Sequence, residues 1–279
     1  MRIGTESFIH WNFDPVLFSI GDFGIRYYSL CWVIGFILGY LVIRQKFRKD
    51  QMDFSLLEPL LLYVILGALI GARLGHCFFY DWNYFSHHLL EIILPISITQ
   101  SGVRFTGYAS LASHGGAIGL ILCLLLFSKK YHVPLLNLLD YLAFAAPLAG
   151  AFIRIGNFFN SEILGAPTGT GWGVIFDRVD MIPRHPAQLY EALAYLISFL
   201  VLIYYIKHRK KLKQGTLFGL SIVLIFLSRF IIEFFKEVQE PFEVGLRETI
   251  GLDMGQLLSV PFIIVGIYFL FRKDRMATP

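Results

Sequence analysis

Apolar residues in this chain gather into seven long runs, separated by polar or charged segments. The runs cover roughly Ile25–Ile43, Leu56–Phe79, Ala109–Ser128, Pro134–Ile153, Ala187–Ile206, Gly215–Phe235 and Gly255–Phe271. Each run is about 17–25 residues long, which is the length an α-helix needs to cross a bilayer. The pattern predicts an all-α polytopic membrane protein with seven transmembrane helices, forming a single transmembrane domain over residues 1–279.

Basic residues cluster at the ends of alternate runs. The segments after the first, third, fifth and seventh runs hold fourteen Lys and Arg, against five in residues 1–24, 80–108, 155–186 and 237–254 on the opposite side. By the positive-inside rule, the N-terminus is predicted to lie outside and the C-terminus in the cytoplasm. Residues 1–24 are predicted to form an interfacial segment, and residues of about 155–187 a small extracytoplasmic head.

Composition agrees with this class. Of the 279 residues only 16% are charged, whereas a soluble domain has about a quarter. The net charge of +4 suits contact with anionic lipid. It does not indicate nucleic-acid binding, because the basic residues lie beside apolar runs rather than on one stripe. Cys31, Cys77 and Cys123 lie inside apolar runs and are predicted to be core residues, with no disulfide or metal site.

The stretch Gly150–Gly165 directly follows an apolar run and carries Arg154, Asn157, Asn160 and Glu162. An arginine at a membrane helix centre costs about 2.5–3.5 kcal/mol on insertion scales, so Arg154 should have a partner or a ligand. These side chains can bind a phosphate or polar headgroup, and the glycines would let the backbone turn and approach it closely. The alternative is a polar helix end tied to neighbouring helices.

Other ionisable residues lie in or beside the apolar runs. They are Arg73, His76, His114, Asp140, Glu191, Arg229 and Glu233. All except Asp140 fall in the outer half of the predicted bilayer, which indicates one shared polar cavity there. Asp140 and Asn137, near the inner end of the fourth run, are expected to brace helices, with a functional role left open. Gly67, Gly71 and Gly75, at four-residue spacing, predict close helix packing.

Three of these features have two interpretations. His114, followed by two glycines, is either an accessible general base or a helix–helix hydrogen-bond donor. Arg229 and Glu233 are four residues apart, so they form either a simple ion pair or a second phosphate-binding arginine oriented by a carboxylate. Tyr28 is either an aromatic-belt anchor or a catalytic phenol.

Several of these segments together resemble a known family. They are Arg154-Ile-Gly-Asn-Phe-Phe-Asn-Ser-Glu-Ile-Leu-Gly165, His114-Gly-Gly, Arg184-His-Pro-Ala-Gln-Leu-Tyr-Glu191, Arg229-Phe-Ile-Ile-Glu-Phe-Phe235 and Gly255-Gln-Leu-Leu-Ser-Val-Pro261. In this order the chain resembles the bacterial phosphatidylglycerol–prolipoprotein diacylglyceryl transferases over nearly its whole length. The resemblance implies transfer of an sn-1,2-diacylglyceryl group from phosphatidylglycerol to the lipobox cysteine of a prolipoprotein. It also implies a thioether product, release of glycerol phosphate, no cofactor, and a place in the bacterial inner membrane.

The residues suit that reaction. Arg154 and Arg229 are expected to hold the phosphate, because a guanidinium can bind two oxygens at once. Asn157 and Asn160 would hold the phosphate or the glycerol hydroxyls, and Glu162 and Glu233 would fix the arginines. His114 is the expected base for the thiol, with Glu191 or Tyr28 as alternatives. The set of expected phosphatidylglycerol-binding residues is Arg154, Asn157, Asn160, Gly165, Arg229, Asn137 and Glu191.

Other functions remain possible from the residues alone. A transporter would use the outer-leaflet charges to line a permeation path, but only Asn137, Asp140 and Glu58 continue the polar residues inward. A CDP-alcohol phosphotransferase would need clustered aspartates for metal, and no D-x-x-D-G run is present. In a non-catalytic assembly factor the arginines would be structural. The resemblance makes the bilayer, phosphatidylglycerol and signal peptides with a lipobox the expected partners, and no nucleic acid is expected.

Overall fold

The chain is mostly helical. The structure, a computed structural model, describes residues 8–20, 23–99, 102–105, 111–209, 212–238 and 241–272. The α-helices in these ranges are α1 (Tyr27–Lys49), α2 (Leu57–Phe79), α3 (Trp82–Phe85), α4 (Leu89–Ile93), α5 (Ser113–Tyr131), α6 (Leu135–Asn160), α7 (Ala187–His208), α8 (Thr216–Ile232), α9 (Pro241–Ile250) and α10 (Met254–Phe271). Six of them, α1, α2, α6, α7, α8 and α10, are long and apolar enough to cross a membrane. These helices confirm the prediction of an all-α polytopic membrane protein, whereas the seven spans and their orientation stay predictions.

Two helices extend beyond their predicted apolar runs. Helix α1 continues past Ile43 to Lys49, because Lys and Arg are good helix formers whose long side chains can reach water. Helix α6 continues through Arg154 to Asn160. Arg154, Asn157 and Asn160 are therefore all helical, and the non-helical part of the segment predicted to form the head begins at Ser161.

Helix α5 lies where the third run was predicted. It begins at Ser113, and the predicted start at Ala109 lies outside the described residues. It is not among the six long apolar helices. The reason is local, since His114 and two glycines open the helix and Lys129 and Lys130 occupy its last turn.

Short strands accompany the helices. They are β1 (Ile9–His10), β2 (Val16–Ile20), β3 (Phe23–Arg26), β4 (Ile96–Thr99), β5 (Gly102–Phe105), β6 (Val174–Ile175) and β7 (Pro183–Arg184). Strands β2 and β3 form one antiparallel hairpin, and β4 and β5 another. Strand β1 pairs parallel to β6, and β6 pairs antiparallel to β7. The segment predicted to be interfacial thus contributes a strand to the head sheet, while residues 1–7 and 21–22 lie outside the described ranges.

The chain divides into two compact units. The first unit comprises residues 1–46 and 139–279, and the second comprises residues 47–138. The first contains the head and most of the long helices. The second contains α2 to α5 and the β4–β5 hairpin.

Helices α2 and α5 of the second unit pack closely through small residues. A Cβ atom on Gly71 would collide with the backbone of Gly115 and lie 2.8 Å from Gly119 Cα. A Cβ on Gly67 would lie 2.8 Å from Cys123 Cβ. Close approach of two backbones requires small side chains at the contact, so the packing predicted from the glycine spacing of α2 is confirmed.

Arg73 holds a surface helix of the second unit in place. It is 8% exposed, and its Nη2 donates to the Glu91 carbonyl oxygen at 2.6 Å. Its Nε donates to the Ile92 carbonyl oxygen at 3.4 Å, and the guanidinium lies 4.8 Å from the Phe85 ring centroid. Arg73 was predicted to contribute to an outer polar cavity, and the structure shows it joining α2 to α4.

Asp140 braces two helices of the first unit. Its Oδ2 accepts from Gly215 N at 2.7 Å and its Oδ1 from Phe218 N at 2.8 Å. The first N–H groups of a helix lack partners within the helix, and a carboxylate at that end is favoured by the helix dipole. Asp140 of α6 therefore caps α8, as the bracing interpretation predicted.

Candidate functional site

The candidate site starts where α6 ends in a left-handed turn. Glu162 N donates to the Asn157 carbonyl oxygen at 3.0 Å and Ser161 N to that of Phe158 at 3.1 Å, which is the hydrogen-bond pattern of a Schellman motif. Ser161 has φ +55° and Ile163 has φ +56°. Glycine usually occupies the left-handed position, and a β-branched residue there is an outlier. Such strain persists where the surrounding structure enforces it, and it is common at functional sites.

The glycines of this stretch act differently from the prediction that they let the backbone turn. A Cβ on Gly156 would lie 2.9 Å from Cδ2 of Tyr28, so this glycine lets α1 pack on α6. A Cβ on Gly165 would overlap the backbone of His185. Both glycines therefore serve close approach within the first unit, and the left-handed turn is made by Ser161 and Ile163.

Arg154 takes part in a buried charge network of four side chains. Its Nε lies 2.9 Å from Oε2 of Glu191, whose side chain is fully buried. The other Glu191 oxygen, Oε1, lies 3.0 Å from Nζ of Lys236, and Lys236 Nζ lies 2.9 Å from Oε2 of Glu233. Both Glu191 oxygens are held by ion pairing alone, without an aligned hydrogen bond. Burial of these charges is possible because they are paired.

On its other side Arg154 is linked to the left-handed turn. Its Nη1 donates to Asn157 Oδ1 at 3.3 Å, and Asn157 Nδ2 donates to Glu162 Oε2 at 3.3 Å. Asn160 Nδ2 donates to the second carboxylate oxygen, Oε1, at 3.1 Å. The structure thus brings together four residues that the sequence analysis selected, in one hydrogen-bonded chain at the end of α6.

The pairing of carboxylates with cations differs from the prediction. Glu162 and Glu233 were expected to fix the arginines, and Glu233 in particular to orient Arg229. Arg154 is instead fixed by Glu191, and Glu233 pairs with Lys236. The reason is local, since α8 ends at Ile232 and the chain tightens into a 3₁₀ turn over Glu233–Phe235.

Arg229 lies near this network. Its buried Nε has no hydrogen-bond partner among the residues that the structure describes. Tyr195, which is buried, lies within electrostatic range of Arg229, Arg154 and Glu191. The charges of Arg154, Glu191, Lys236 and Glu233 cancel, and Glu162, which Asn157 links to Arg154, balances Arg229. The group is therefore neutral overall, and the buried Nε of Arg229 is a donor in it that is left for an anion.

Backbone pairing with the segment 164–166 holds Lys236 at the network. Ala166 N donates to the Phe235 carbonyl oxygen at 2.8 Å and Glu237 N to that of Leu164 at 3.3 Å. The segments 164–166 and 235–237 are thereby paired antiparallel around Gly165 and Lys236. Gly165 lies opposite Lys236 in this pairing, and its predicted contact with lipid stays a prediction.

Arg184 supports the same contact from the head sheet. Its Nη1 donates to the Gly165 carbonyl oxygen at 3.2 Å and to Glu237 Oε2 at 2.8 Å. Its Nη2 donates to Asp180 Oδ2 at 2.6 Å. The hydrogen bond from Arg184 lowers the pKa of Asp180 below its usual range, and the same contact raises the pKa of Arg184. Arg184 therefore acts as a structural residue that fixes the head.

The remaining predicted residues lie elsewhere. Tyr28 lies in the first turn of α1, against Gly156. His114 is exposed in the second unit, and its Nδ1 lies 3.5 Å from the Tyr80 hydroxyl. Asn137 lies in the first turn of α6, and Arg154 near that helix's other end. The roles expected for these three residues stay predictions.

Sequence reasoning missed three residues of the site, namely Lys236, Tyr195 and Gln188. Lys236 lies directly after the predicted end of the sixth run, so it was not counted among the ionisable residues of the apolar runs. Tyr195 follows Glu191 by four residues, so helical spacing could have placed it on the same face of α7. Gln188 lies one turn before Glu191, and its Nε2 donates to the Glu162 carbonyl oxygen at 2.6 Å. Within the described ranges no group of three His, Cys, Asp or Glu side chains could hold a metal ion.

A helical membrane fold with a network of paired buried charges at the end of α6 defines a polytopic membrane protein. The chain matches the model of the prolipoprotein diacylglyceryl transferase family over residues 15–272. The phosphatidylglycerol–prolipoprotein diacylglyceryl transferase of Bacteroides fragilis is 48% identical over 265 residues, which is 94% of each chain. The enzyme of the same name from Tolumonas auensis is 40% identical over 268 residues, covering 96% of this chain and 98% of the relative. That from Porphyromonas gingivalis is 39% identical over 282 residues, 96% of each chain.

The chain therefore belongs to the prolipoprotein diacylglyceryl transferase family, as its motifs indicated. This membership identifies a membrane-bound transferase of lipoprotein biosynthesis. It favours that reading over the transporter, the CDP-alcohol phosphotransferase and the assembly factor.

Proposed function

We propose that this chain transfers the sn-1,2-diacylglyceryl group from phosphatidylglycerol to the lipobox cysteine of a prolipoprotein. The cysteine sulfur attacks the glycerol carbon that bears the phosphate, a C–S bond forms, and the C–O bond to the phosphate breaks. Glycerol phosphate leaves with the bonding electrons, and the thiol proton passes to a base. The observation that carries this proposal is the arginine-centred charge network in a chain of this family.

The network suits the departure of a phosphate. Arg154 is fixed from two sides, by Glu191 through Nε and by Asn157 through Nη1. Donors that are already oriented stabilise developing charge most effectively, because they need no reorganisation during the reaction. Arg229 brings a second guanidinium, whose buried Nε is unpaired among the described residues, and Asn157 and Asn160 are the proposed contacts of the headgroup. Glu233 and Lys236 act by holding Glu191 and the end of α8 in place.

The thiol must also lose its proton. Its ordinary pKa of about 8.5 leaves only a small thiolate fraction at neutral pH. We keep His114, the base expected from its His114-Gly-Gly motif, as the candidate proton acceptor. Glu191 is held between Arg154 and Lys236, and we propose that it orients Arg154. Tyr28, which packs against Gly156 of α6, is the alternative proton acceptor or donor. Asn137 is retained as a candidate lipid contact.

The topology follows from the same proposal. Helix α5 packs against α2 over Gly67–Gly75, and residues such as Ile118, Ile121 and Leu122 are exposed on its other faces. A helix with this surface, alongside a membrane-spanning partner, is best accommodated as the seventh span. With seven spans, the positive-inside rule favours an outer N-terminus, a cytoplasmic C-terminus and a head on the outer side. We further propose that the enzyme is a single transmembrane domain of the bacterial inner membrane.

The test is a transfer assay on the purified full chain in detergent. Phosphatidylglycerol is offered with a synthetic lipobox peptide and with the same peptide carrying serine for cysteine. We expect a mass gain of one diacylglyceryl group on the cysteine peptide only, lost in Arg154→Ala. The matched control is Arg178→Ala, which removes a half-exposed arginine of the head and should retain activity. No gain with folded wild-type protein would refute the proposed function.

A further inference from the structure

Three buried polar atoms around Glu162 lack a hydrogen-bond partner among the described residues. They are Oε1 of Gln188, Oδ1 of Asn160 and Oγ of Ser161. Two of them are amide oxygens, which can only accept, and the third is a hydroxyl, which can accept or donate. Buried polar groups are hydrogen-bonded in the great majority of cases, so a group of three without partners needs an explanation.

The orientation of the two amides is determined by their other contacts. Gln188 Nε2 donates to the Glu162 carbonyl oxygen at 2.6 Å, and Asn160 Nδ2 donates to the Glu162 carboxylate at 3.1 Å. Carbonyl and carboxylate oxygens accept and do not donate, so the amide nitrogens must face Glu162. The amide oxygens consequently point away from it. Gln188 is fully buried, so its oxygen cannot be satisfied by bulk water.

The backbone at this point is also strained. Ser161 and Ile163, on either side of Glu162, both have left-handed φ values. The turn presents the Glu162 carbonyl oxygen to Gln188. Strained backbone that is held in one conformation commonly marks a site where ligand geometry matters.

The expected phosphate position is connected to these atoms. Arg154, Asn157 and Glu162 form a side-chain hydrogen-bonded chain that ends at the amide of Asn160, and Gln188 joins it at the Glu162 backbone carbonyl. A ligand whose phosphate contacts Arg154 would place its headgroup beside this hydrogen-bonded group, whose unpaired acceptors call for hydroxyl donors.

We propose that Gln188, Asn160 and Ser161 form a subsite for the hydroxyl groups of the lipid's glycerol headgroup. This inference rests on the proposed function and adds the chemical basis of headgroup selection. The Gln188 and Asn160 oxygens accept from the two free hydroxyls of the glycerol that leaves with the phosphate. A site built around buried acceptors disfavours an analogue without hydroxyls, because its own polar groups are then left unpaired.

The test compares two lipids that differ only in these hydroxyls, phosphatidylglycerol and phosphatidylpropanol with identical acyl chains. In the wild type we expect kcat/KM for diacylglyceryl transfer to be at least about tenfold higher with phosphatidylglycerol. In Gln188→Met, which keeps the length of the side chain and removes both polar atoms, we expect that ratio to fall toward unity. Asn160→Leu provides a second variant with the same expected change.

The matched control is Gln256→Met. Gln256 is also a buried glutamine that donates to a backbone carbonyl, that of Phe230, but its Oε1 already accepts from Asp253 N at 3.1 Å. We expect this variant to lose thermal stability and to keep the wild-type lipid ratio. Equal use of the two lipids by the wild type, or an unchanged ratio in both Gln188→Met and Asn160→Leu, would overturn the inference. Absence of transfer from either lipid by the wild type would instead refute the proposed function.

Discussion

Arg73 in the second unit and Arg154 in the first are both buried arginines in membrane helices, but their surroundings differ. Arg73 donates to backbone carbonyls of α4 and lies over the Phe85 ring. Arg154 contacts a fully buried carboxylate and an asparagine, and Arg229 nearby has a buried nitrogen without a partner in the described chain. The first arrangement fastens one helix to another. The second combines fixed donors with polar atoms that the protein leaves unpaired, which is what ligand binding requires.

The largest expected difference is between the lysine variants of these two arginines. In Arg154→Lys we expect kcat/KM to fall by about 10²–10³-fold, because an ammonium group cannot hold Glu191, Asn157 and a phosphate in the same geometry. In Arg73→Lys we expect activity to stay within about threefold of wild type while Tm falls, since the planar donor geometry to α4 is lost. Transfer assays and thermal unfolding in detergent check both variants. Equal loss of activity in the two would show that the contrast between the sites is not functional.

A second prediction concerns the charge balance around Glu191. In Lys236→Met, Glu191 keeps Arg154 as its partner, but Glu233 loses the lysine that it pairs with. Breaking a buried ion pair costs about 3–5 kcal/mol. We expect activity to fall by at least about a hundredfold. The double variant Lys236→Met/Glu233→Gln removes one charge of each sign, so Glu191 remains paired with Arg154. The activity of the double variant should be about tenfold higher than that of Lys236→Met. The activity of Lys236→Arg should be close to wild type.

The outcome of that experiment separates two roles for Lys236. Recovery in the double variant means that the lysine positions the carboxylates. Failure to recover, with both proteins folded, means that the ammonium group contacts the substrate directly. Either result is read from kcat/KM together with thermal unfolding of each variant.

The smallest expected effect concerns Arg184, a buried arginine that is paired with carboxylates and yet structural. Its hydrogen bond lowers the pKa of Asp180, so the folded state is stabilised when that carboxyl is ionised. The stabilisation is present above the unfolded pKa of about 3.9 and is lost as pH falls through the lower folded value. Tm should therefore decline below about pH 4 in the wild type and decline less in Asp180→Asn. Asp14→Asn, at an exposed carboxylate of the first unit, is the control and should follow the wild-type curve.

Much of this architecture was predictable from local patterns. Apolar runs identified the six long helices, glycine spacing in α2 identified its close packing, and an arginine beside an apolar run identified Arg154. These features depend on residues close together in the chain. Family motifs added the chemistry that local patterns leave open.

The pairing of charges could not be predicted in the same way. Glu233 was assigned to Arg229 because they are four residues apart, but a 3₁₀ turn and the distant segment 164–166 bring Lys236 to it instead. Two-residue strands such as β1 and β6 carry no periodic signal of their own. Gln188 looked like an ordinary helix residue, and its significance depends on the position of Glu162, 26 residues earlier in the chain.

Helix α8 is attached near both of its ends to groups carried by α6. Asp140 binds its first turn, and the chain Arg154–Glu191–Lys236–Glu233 meets the residue that follows its last turn. One added residue inside α8 would turn everything beyond it by about 100° and shift it by about 1.5 Å. Both attachments could then not be satisfied at once. The number of residues between them, as much as their identity, is therefore constrained, and homologues should tolerate substitutions along α8 far more readily than insertions.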